Sequence, residues 1–257
     1  RRVRFIGDAE TRIREDGLRI LRFFRFTARY GEGAIDSAGL DACHQCREML
    51  DGLSGERIAQ EMHQFLESET APALLKLMEE QRLTHSLFGY AINASALDCW
   101  ARVYLIADVE EERLPVSMVL LALLCRAQKG AMADYVIQRW KLSNDQAKLL
   151  VFLTEATAIT PDIDEGEQKR ILRHIGAERF RALALVSWTE NLSYEPSNAQ
   201  VLAAAYRPII WLAGHWQIPA FPINGDDLAA MGLPAGPQMG AWLKQLEEWW
   251  EREGYQP

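Results

Sequence analysis

Apolar residues recur three and four positions apart along most of this chain, and strict alternation of apolar and polar residues is nearly absent. This spacing is typical of amphipathic helices rather than of strands. The pattern predicts an all-α fold. The predicted helices cover residues 16–30, 35–51, 54–66, 70–80, 95–109, 115–128, 129–140, 143–158, 165–175, 177–191, 197–216 and 239–252.

Three segments depart from this pattern. Residues 3–6 are predicted to form a short extended piece, and residues 81–89 to form a loop. Glycines and prolines surround one short helix between residues 225 and 240, which predicts a tight helix-turn-helix before the last helix.

The helix predicted over residues 16–30 carries two stripes. Its apolar positions form one sector, and the opposite sector holds only arginines, which are Arg19, Arg22, Arg25 and Arg29. Guanidinium groups are planar, permanently charged and forked, so four of them in register suit phosphates and base edges. A structural ladder of ion pairs would give the same spacing, and both interpretations stay open.

Two acids, Glu15 and Asp16, stand at the head of this helix. Asp is a favoured N-cap, and acids there are stabilised by the helix dipole. A second interpretation uses the same place. A carboxylate only accepts hydrogen bonds and Arg only donates them, so Asp16 and Arg19 together would match cytosine or adenine and reject uracil and guanine.

Charge and apolar runs narrow the possible partners. The formal net charge is −8 and the pI is about 5.3, so any contact with nucleic acid must be local. The longest apolar run, residues 116–125, is too short to span a membrane and predicts a buried helix. No secretory segment is recognisable at the start of the sequence, and the predicted location is cytoplasmic. The sequence begins so abruptly that it looks like a piece of a longer chain.

Other candidate chemistry is weak. Cys43 and Cys46 lack the second pair that a zinc site needs, so reduced cysteines on a helix are predicted. Asp8 and Glu10 are spaced like a metal-binding pair but lack the strand before them, and a loop with solvated acids is predicted. The five histidines stand far apart, and no P-loop or Gly-x-Ser-x-Gly is present. The tryptophans of the last third suit base stacking or a helical core.

Three stretches together resemble the bacterial class II tRNA nucleotidyltransferases, which are the CCA-adding enzyme and poly(A) polymerase family. Residues 12–26 are similar to the Glu-Asp-x-x-Arg nucleotide-recognition motif, and residues 53–61 to the next motif, a supporting helix. Residues 224–240 are similar to a C-terminal Gly-Asp-Leu and Gly-Pro-x-x-Gly turn. Gly17 departs from the pattern, because the family often has Pro there.

The resemblance implies an elongated array of helices that follows a β-rich head domain. The array would comprise a neck over residues 1–69, a body over 70–155 and a tail over 156–257. The head would hold Mg²⁺ on two aspartates, so no catalytic residue is expected in this chain and the chain alone should be inactive. The body and tail would bind the acceptor arm of tRNA or another RNA 3′ end.

The resemblance also assigns residues. Asp16 and Arg19 would read the base of CTP or ATP, with Glu15 holding Arg19 in place, and Arg22 and Arg25 would support the nucleotide.

In the second motif, Glu56 and Arg57 would be structural supports. A cap with an Arg that props a neighbouring helix also explains residues 54–57 better than an anion site does.

Three alternatives stay open. The product would be CCA, or a poly(A) tail made by a member of the same family. The third alternative is a helical RNA-binding or interaction module without a nucleotide site. The sequence leaves the oligomeric state unknown.

Overall fold

A computed structural model describes residues 1–107, 115–128, 130–234 and 236–256. Within these ranges the chain forms fifteen α-helices and no strand, which confirms the all-α prediction. The helices are α1 (Ala9–Glu15), α2 (Leu18–Tyr30), α3 (Ser37–Gln45), α4 (Gly55–Leu66), α5 (Ala71–Glu80), α6 (His85–Phe88), α7 (Ala94–Ala107), α8 (Val116–Arg126), α9 (Ala131–Trp140), α10 (Asn144–Glu155), α11 (Glu165–Ile175), α12 (Ala177–Tyr194), α13 (Ala199–His215), α14 (Gly225–Ala230) and α15 (Pro237–Arg252). In the described ranges, 3-10 helices cover Arg47–Leu50 and Pro196–Asn198.

Three local predictions are wrong. Asp8 and Glu10 do not lie in a loop, because Asp8 is the N-cap of α1 and accepts the Thr11 N–H at 2.8 Å. The helix predicted over 35–51 is divided into α3 and the 3-10 helix Arg47–Leu50, and the loop predicted over 81–89 contains α6.

The apolar faces of the helices meet in a continuous core that runs from α1 to α13. The apolar stripe of α2 is part of it, with Ile20, Phe23 and Phe24 buried. Every residue of α8 from Ser117 to Cys125 is buried, as predicted for residues 116–125. Among the described helices, none is both long enough and apolar enough to cross a membrane.

The beginning of α4 is held tightly against the end of α9. A Cβ added to Gly55 would lie 2.5 Å from the carbonyl oxygen of Arg139, so only glycine fits at this contact. The Arg139 guanidinium donates to the carbonyls of Leu50 and Leu53, at 2.8 and 2.9 Å. This packing fixes the first turn of α4, which carries Arg57 toward α2.

The four cysteines are free, as predicted, and all four are buried. Burial raises the pKa of Cys43, and it raises the pKa of Cys125 to about 12. Such thiols stay protonated at neutral pH and are poor nucleophiles.

The partly buried side chain of His63 predicts that the stability of the fold depends on pH. His63 on α4 accepts from the Gln146 amide at Nε2 (3.2 Å) and donates from Nδ1 to Ser117 Oγ (3.1 Å), which suits the neutral ring. Burial lowers the pKa of His63 below its ordinary 6.5. The unfolded chain then binds a proton that the folded chain excludes, so the free energy of unfolding should fall as the pH drops below 6.5.

The slope from this single residue is at most about 1.4 kcal/mol per pH unit. Urea unfolding of wild type and His63→Gln between pH 8 and pH 5, roughly the range that brackets an ordinary histidine pKa, measures it. The stability difference between the two proteins should narrow toward low pH, and a constant difference would refute this assignment.

Candidate nucleotide site

The first two helices meet at Asp16 and Gly17. Asp16 is the C-cap of α1 and Gly17 the N-cap of α2, so the interpretation of Asp16 as the N-cap is wrong by one residue. The Asp16 side chain still accepts a first-turn N–H, since Oδ1 lies 3.1 Å from the Leu18 nitrogen. The Arg19 N–H donates to the Asp16 carbonyl at 3.1 Å, which places both residues at one corner.

The Asp16 carboxylate is held from the other side by Arg57 of α4. The Arg57 Nη2 lies 3.0 Å from Oδ1 and 2.8 Å from Oδ2. Burial alone would raise the pKa of Asp16, but the hydrogen bonds from Leu18 and Arg57 outweigh it and the pKa is lowered. The carboxylate is therefore ionised at neutral pH, and Oδ2, with one donor, can accept another hydrogen bond.

Arg19 is anchored through a single nitrogen. Its Nη1 donates to Glu15 Oε2 at 2.6 Å and to the Arg12 carbonyl at 2.5 Å. The Arg19 hydrogen bond is also the main reason why the pKa of Glu15 is lowered. No hydrogen bond from Nε or Nη2 is found within the described part of the chain, and none joins the Arg19 and Asp16 side chains.

The next two arginines share one buried carboxylate that the sequence analysis missed. Arg22 Nε lies 2.9 Å from Oε1 of Glu61, and Arg25 Nε lies 2.6 Å from Oε2. Glu61 is only 5% exposed. The available signal was its place four residues after Arg57, on the same face of α4 and inside the second motif. The arginine stripe is thus partly a ladder of ion pairs.

The remaining assigned residue, Glu56, lies away from this corner. Its carboxylate pairs with Lys141 Nζ at 3.0 Å, and both side chains are well exposed. Glu56 therefore links the first turn of α4 to the residue after α9, whereas Arg57 contacts Asp16 directly.

A pocket of about 250 Å³ opens between residues 3–6 and α2. The charged residues that line it are all arginines, which are Arg4, Arg12, Arg19 and Arg22. Aromatic rings form part of its wall. Phe26 is 36% exposed, and the Arg25 guanidinium lies 4.3 Å from its ring centroid. Cations beside aromatic faces suit a planar anionic ligand.

The described residues do not form a metal site. No group of three or more His, Cys, Asp or Glu side chains in these ranges could hold an ion. The Mg²⁺ implied by the resemblance does not fit this part of the chain, and no catalytic step is assigned to its residues.

Comparison with known proteins gives consistent matches along the chain. Residues 34–93 match the family model described as the probable RNA and SrmB-binding site of polymerase A. The CCA tRNA nucleotidyltransferase 1, mitochondrial, of Danio rerio is 30% identical over 262 residues, which cover 100% of this chain and 56% of that protein. The CCA-adding enzyme of Geobacillus stearothermophilus is 33% identical over 258 residues, covering 95% and 56%. The structure of the Bacillus stearothermophilus CCA-adding enzyme in complex with CTP has a TM-score of 0.69 at 25% identity, covering 98% of this chain and 61% of that one.

The helical array and these matches align the chain with the C-terminal portion of CCA-adding enzymes. The resemblance to the CCA-adding enzyme and poly(A) polymerase family that the three motifs predicted is confirmed by this similarity over the whole chain. The chain spans about 56% of the length of the curated relatives it matches.

Proposed function

We propose that this chain is the base-reading and RNA-binding part of a template-independent nucleotidyltransferase that adds CCA, or A alone, to tRNA 3′ ends. The observation that carries the proposal is similarity to CCA-adding enzymes over the whole chain rather than at one motif. In the proposed reaction the RNA 3′-hydroxyl attacks the α-phosphate of CTP or ATP, and pyrophosphate leaves. Mg²⁺ would be bound by a part of the enzyme with which this chain does not align.

Base reading is proposed for Asp16 and Arg19. The ionised carboxylate has acceptor capacity at Oδ2, and Arg19 has N–H groups without partners in the described structure. An acceptor beside a donor complements the exocyclic amine and ring nitrogen of cytosine and adenine. Uracil and guanine present the reverse order, so both would meet an unpaired group. Glu15 and Arg57 support this proposal because each holds one of the two readers in place.

Arg22 and Arg25 are proposed to support the nucleotide. Each is fixed to Glu61 through Nε, and the Arg22 guanidinium borders the arginine-lined pocket. A phosphate or ribose would be bound there by preorganised donors, which lose little side-chain entropy on binding.

Domain boundaries near residues 70 and 155 are also proposals. The described core is continuous across both positions and does not by itself mark a division. The cytoplasmic location stays a prediction, since the relatives include mitochondrial enzymes.

The second candidate is a poly(A) polymerase of the same family. It is favoured by the matched family model, whose description names polymerase A. The two products separate the candidates. With the native head domain supplied, this chain should extend a tRNA lacking CCA, and sequencing of the 3′ ends should show CCA or a single A. Long A tails would favour the polymerase instead.

Asp16→Asn tests the base-reading proposal. Asn keeps an acceptor for the Leu18 N–H but adds a donor that opposes the base amine. We expect the preference for CTP over UTP and for ATP over GTP, measured as ratios of kcat/KM in the reconstituted enzyme, to fall by about 100-fold or more. The melting temperature should change little, because the pair with Arg57 is partly exposed.

Glu56→Gln is the matched control, since it also removes a carboxylate that pairs with a cation but lies on the outer surface. It should leave selectivity intact. If Asp16→Asn also keeps the wild-type preference, the nucleotide site is rejected and the helical RNA-binding module without such a site becomes the better explanation.

A further inference from the structure

The outer face of α13, like the arginine stripe of α2, carries no acidic residue. No Asp or Glu occurs between Ala199 and His215, although the chain carries a formal net charge of −8. The exposed positions of the helix are mainly apolar, and the largest is Trp211, which is 60% exposed. In contrast, Trp140 and Trp188 are almost completely buried in the core. Exposed apolar side chains on one acid-free face, with Val201 67% and Trp211 60% exposed, mark a candidate contact surface.

Trp211 is held in a defined orientation by the next turn. The rings of Trp211 and His215 are stacked, with centroids 4.3 Å apart and planes inclined by only 9°. His215 Nδ1 also lies 2.9 Å from the Trp211 carbonyl oxygen. The imidazole therefore fixes the indole, and the remaining indole surface is available for a second planar group.

A cation without an acidic partner lies beside this pair. Arg181 of α12 has a buried Nε that makes no hydrogen bond, and no ion pair to its guanidinium is found among the described residues. Its Nη2 reaches α13 at Gly214, where an added Cβ would lie 2.9 Å away. Because Gly214 has no side chain, the Arg181 guanidinium can pack against the backbone of α13 at this position. An anion bound here would pair with a guanidinium that has no carboxylate partner among the described residues.

We propose that Trp211, His215 and Arg181 form an RNA contact, in which the indole stacks on an unpaired or terminal base and the guanidinium binds a neighbouring phosphate. The site lies outside residues 34–93, the segment matched to a probable RNA-binding site. The inference rests on the proposed function only in taking RNA as the substrate. The absence of acids and the unpaired guanidinium favour a polyanion over a second copy of this acidic chain.

Fluorescence anisotropy with a labelled tRNA lacking CCA, and with a short single-stranded RNA, tests the contact on the full chain. Base stacking on an aromatic side chain predicts that Trp211→Ala raises Kd by about 5- to 150-fold. Trp211→Phe keeps an aromatic face and should retain most of the affinity. Arg181→Met should reduce the slope of log K against log salt by about 1.

Trp249→Ala is the matched control. Trp249 is 55% exposed, nearly as much as Trp211, but it stands on α15 next to Glu247 and Glu248. Its removal should leave RNA affinity unchanged. Circular dichroism and the melting temperature should match wild type for all variants at Trp211, because the side chain is exposed.

Wild-type affinity in Trp211→Ala, or an equal loss in Trp249→Ala, would overturn the inference. So would sedimentation that shows Trp211→Ala dissolving a dimer while RNA affinity is unchanged, since the face would then pair two copies. The outcomes are separable from base reading. Normal nucleotide selectivity with no effect at Trp211 rejects only this contact, and lost RNA affinity with no effect of Asp16→Asn rejects only the nucleotide site.

Discussion

Glu61→Gln is expected to lower the free energy of unfolding by about 2 to 4 kcal/mol. The carboxylate is nearly inaccessible and receives the Nε–H groups of both Arg22 and Arg25. Glutamine has the same shape but no charge, and its amide nitrogen would face a guanidinium that can only donate. The largest part of the loss comes from Arg25, which is itself 15% exposed and would stay in place without a counter-charge.

Urea unfolding near neutral pH measures this effect, with Glu56→Gln as the control on the same helix. The Glu56–Lys141 pair is exposed at both ends, and exposed pairs contribute only about 0 to 1 kcal/mol. Both substitutions replace a carboxylate by an amide. The difference between their losses in free energy of unfolding therefore measures the effect of burial and of the second arginine partner of Glu61. Similar losses in both variants would show that Glu61 is no more important than a surface carboxylate.

Glu61→Gln also tests whether Arg22 and Arg25 support the nucleotide without reading its base. No hydrogen bond joins Glu61 to Asp16 or Arg19 in the described part of the chain, so we expect Glu61→Gln to raise KM for CTP and ATP alike in the reconstituted enzyme. The preference for CTP over UTP and for ATP over GTP, as ratios of kcat/KM, should stay close to that of wild type. A collapse of selectivity comparable to that of Asp16→Asn would show that Arg22 or Arg25 also reads the base.

Local patterns predicted the helices well because each helix carries its own periodic stripe. The recognition helix was predicted from residue 16 and begins at Leu18, and the buried run at 116–125 lies within α8. The misses are short elements. α1 has seven residues and one fully buried side chain, Ile13, so its periodicity is weak, and the four residues of α6 end at Gly89 in the left-handed region.

The sequence predicted the site residues on and beside α2 but not the contacts that they make with α4. The arginine stripe and the Glu15–Asp16 head are local, and spacing could not decide between ion pairs and a ligand surface. The partners Glu61 and Arg57 lie 36 to 41 residues away, and their contacts depend on how α4 packs against α2. The structure contains features of both interpretations. Arg19, Arg22 and Arg25 are each anchored to an acid, while Arg19 and Arg22 also line an open pocket.

Gly17→Pro, which would restore the residue that the family often has, is expected to destabilise this chain by about 1 to 3 kcal/mol. The backbone is not the obstacle, since Gly17 has φ −58° and ψ −22°, values that proline readily adopts. The obstacle is space. A Cβ at this position would lie 2.8 Å from the Met49 carbonyl oxygen and 2.9 Å from the Met49 Cβ. The 3-10 helix Arg47–Leu50 packs directly against the corner that carries Asp16.

Gly17→Ala adds the same Cβ without the ring and should therefore lose a similar amount of stability. Gly240→Ala is the control, because nothing lies within 4 Å of a Cβ added there. Alanine in that helix should be neutral or stabilising by up to about 1 kcal/mol. Met49→Ala should not rescue Gly17→Pro, since the closest atom belongs to the backbone. Wild-type stability of Gly17→Pro would mean that the 3-10 helix yields easily and that its packing does not require glycine beside Asp16.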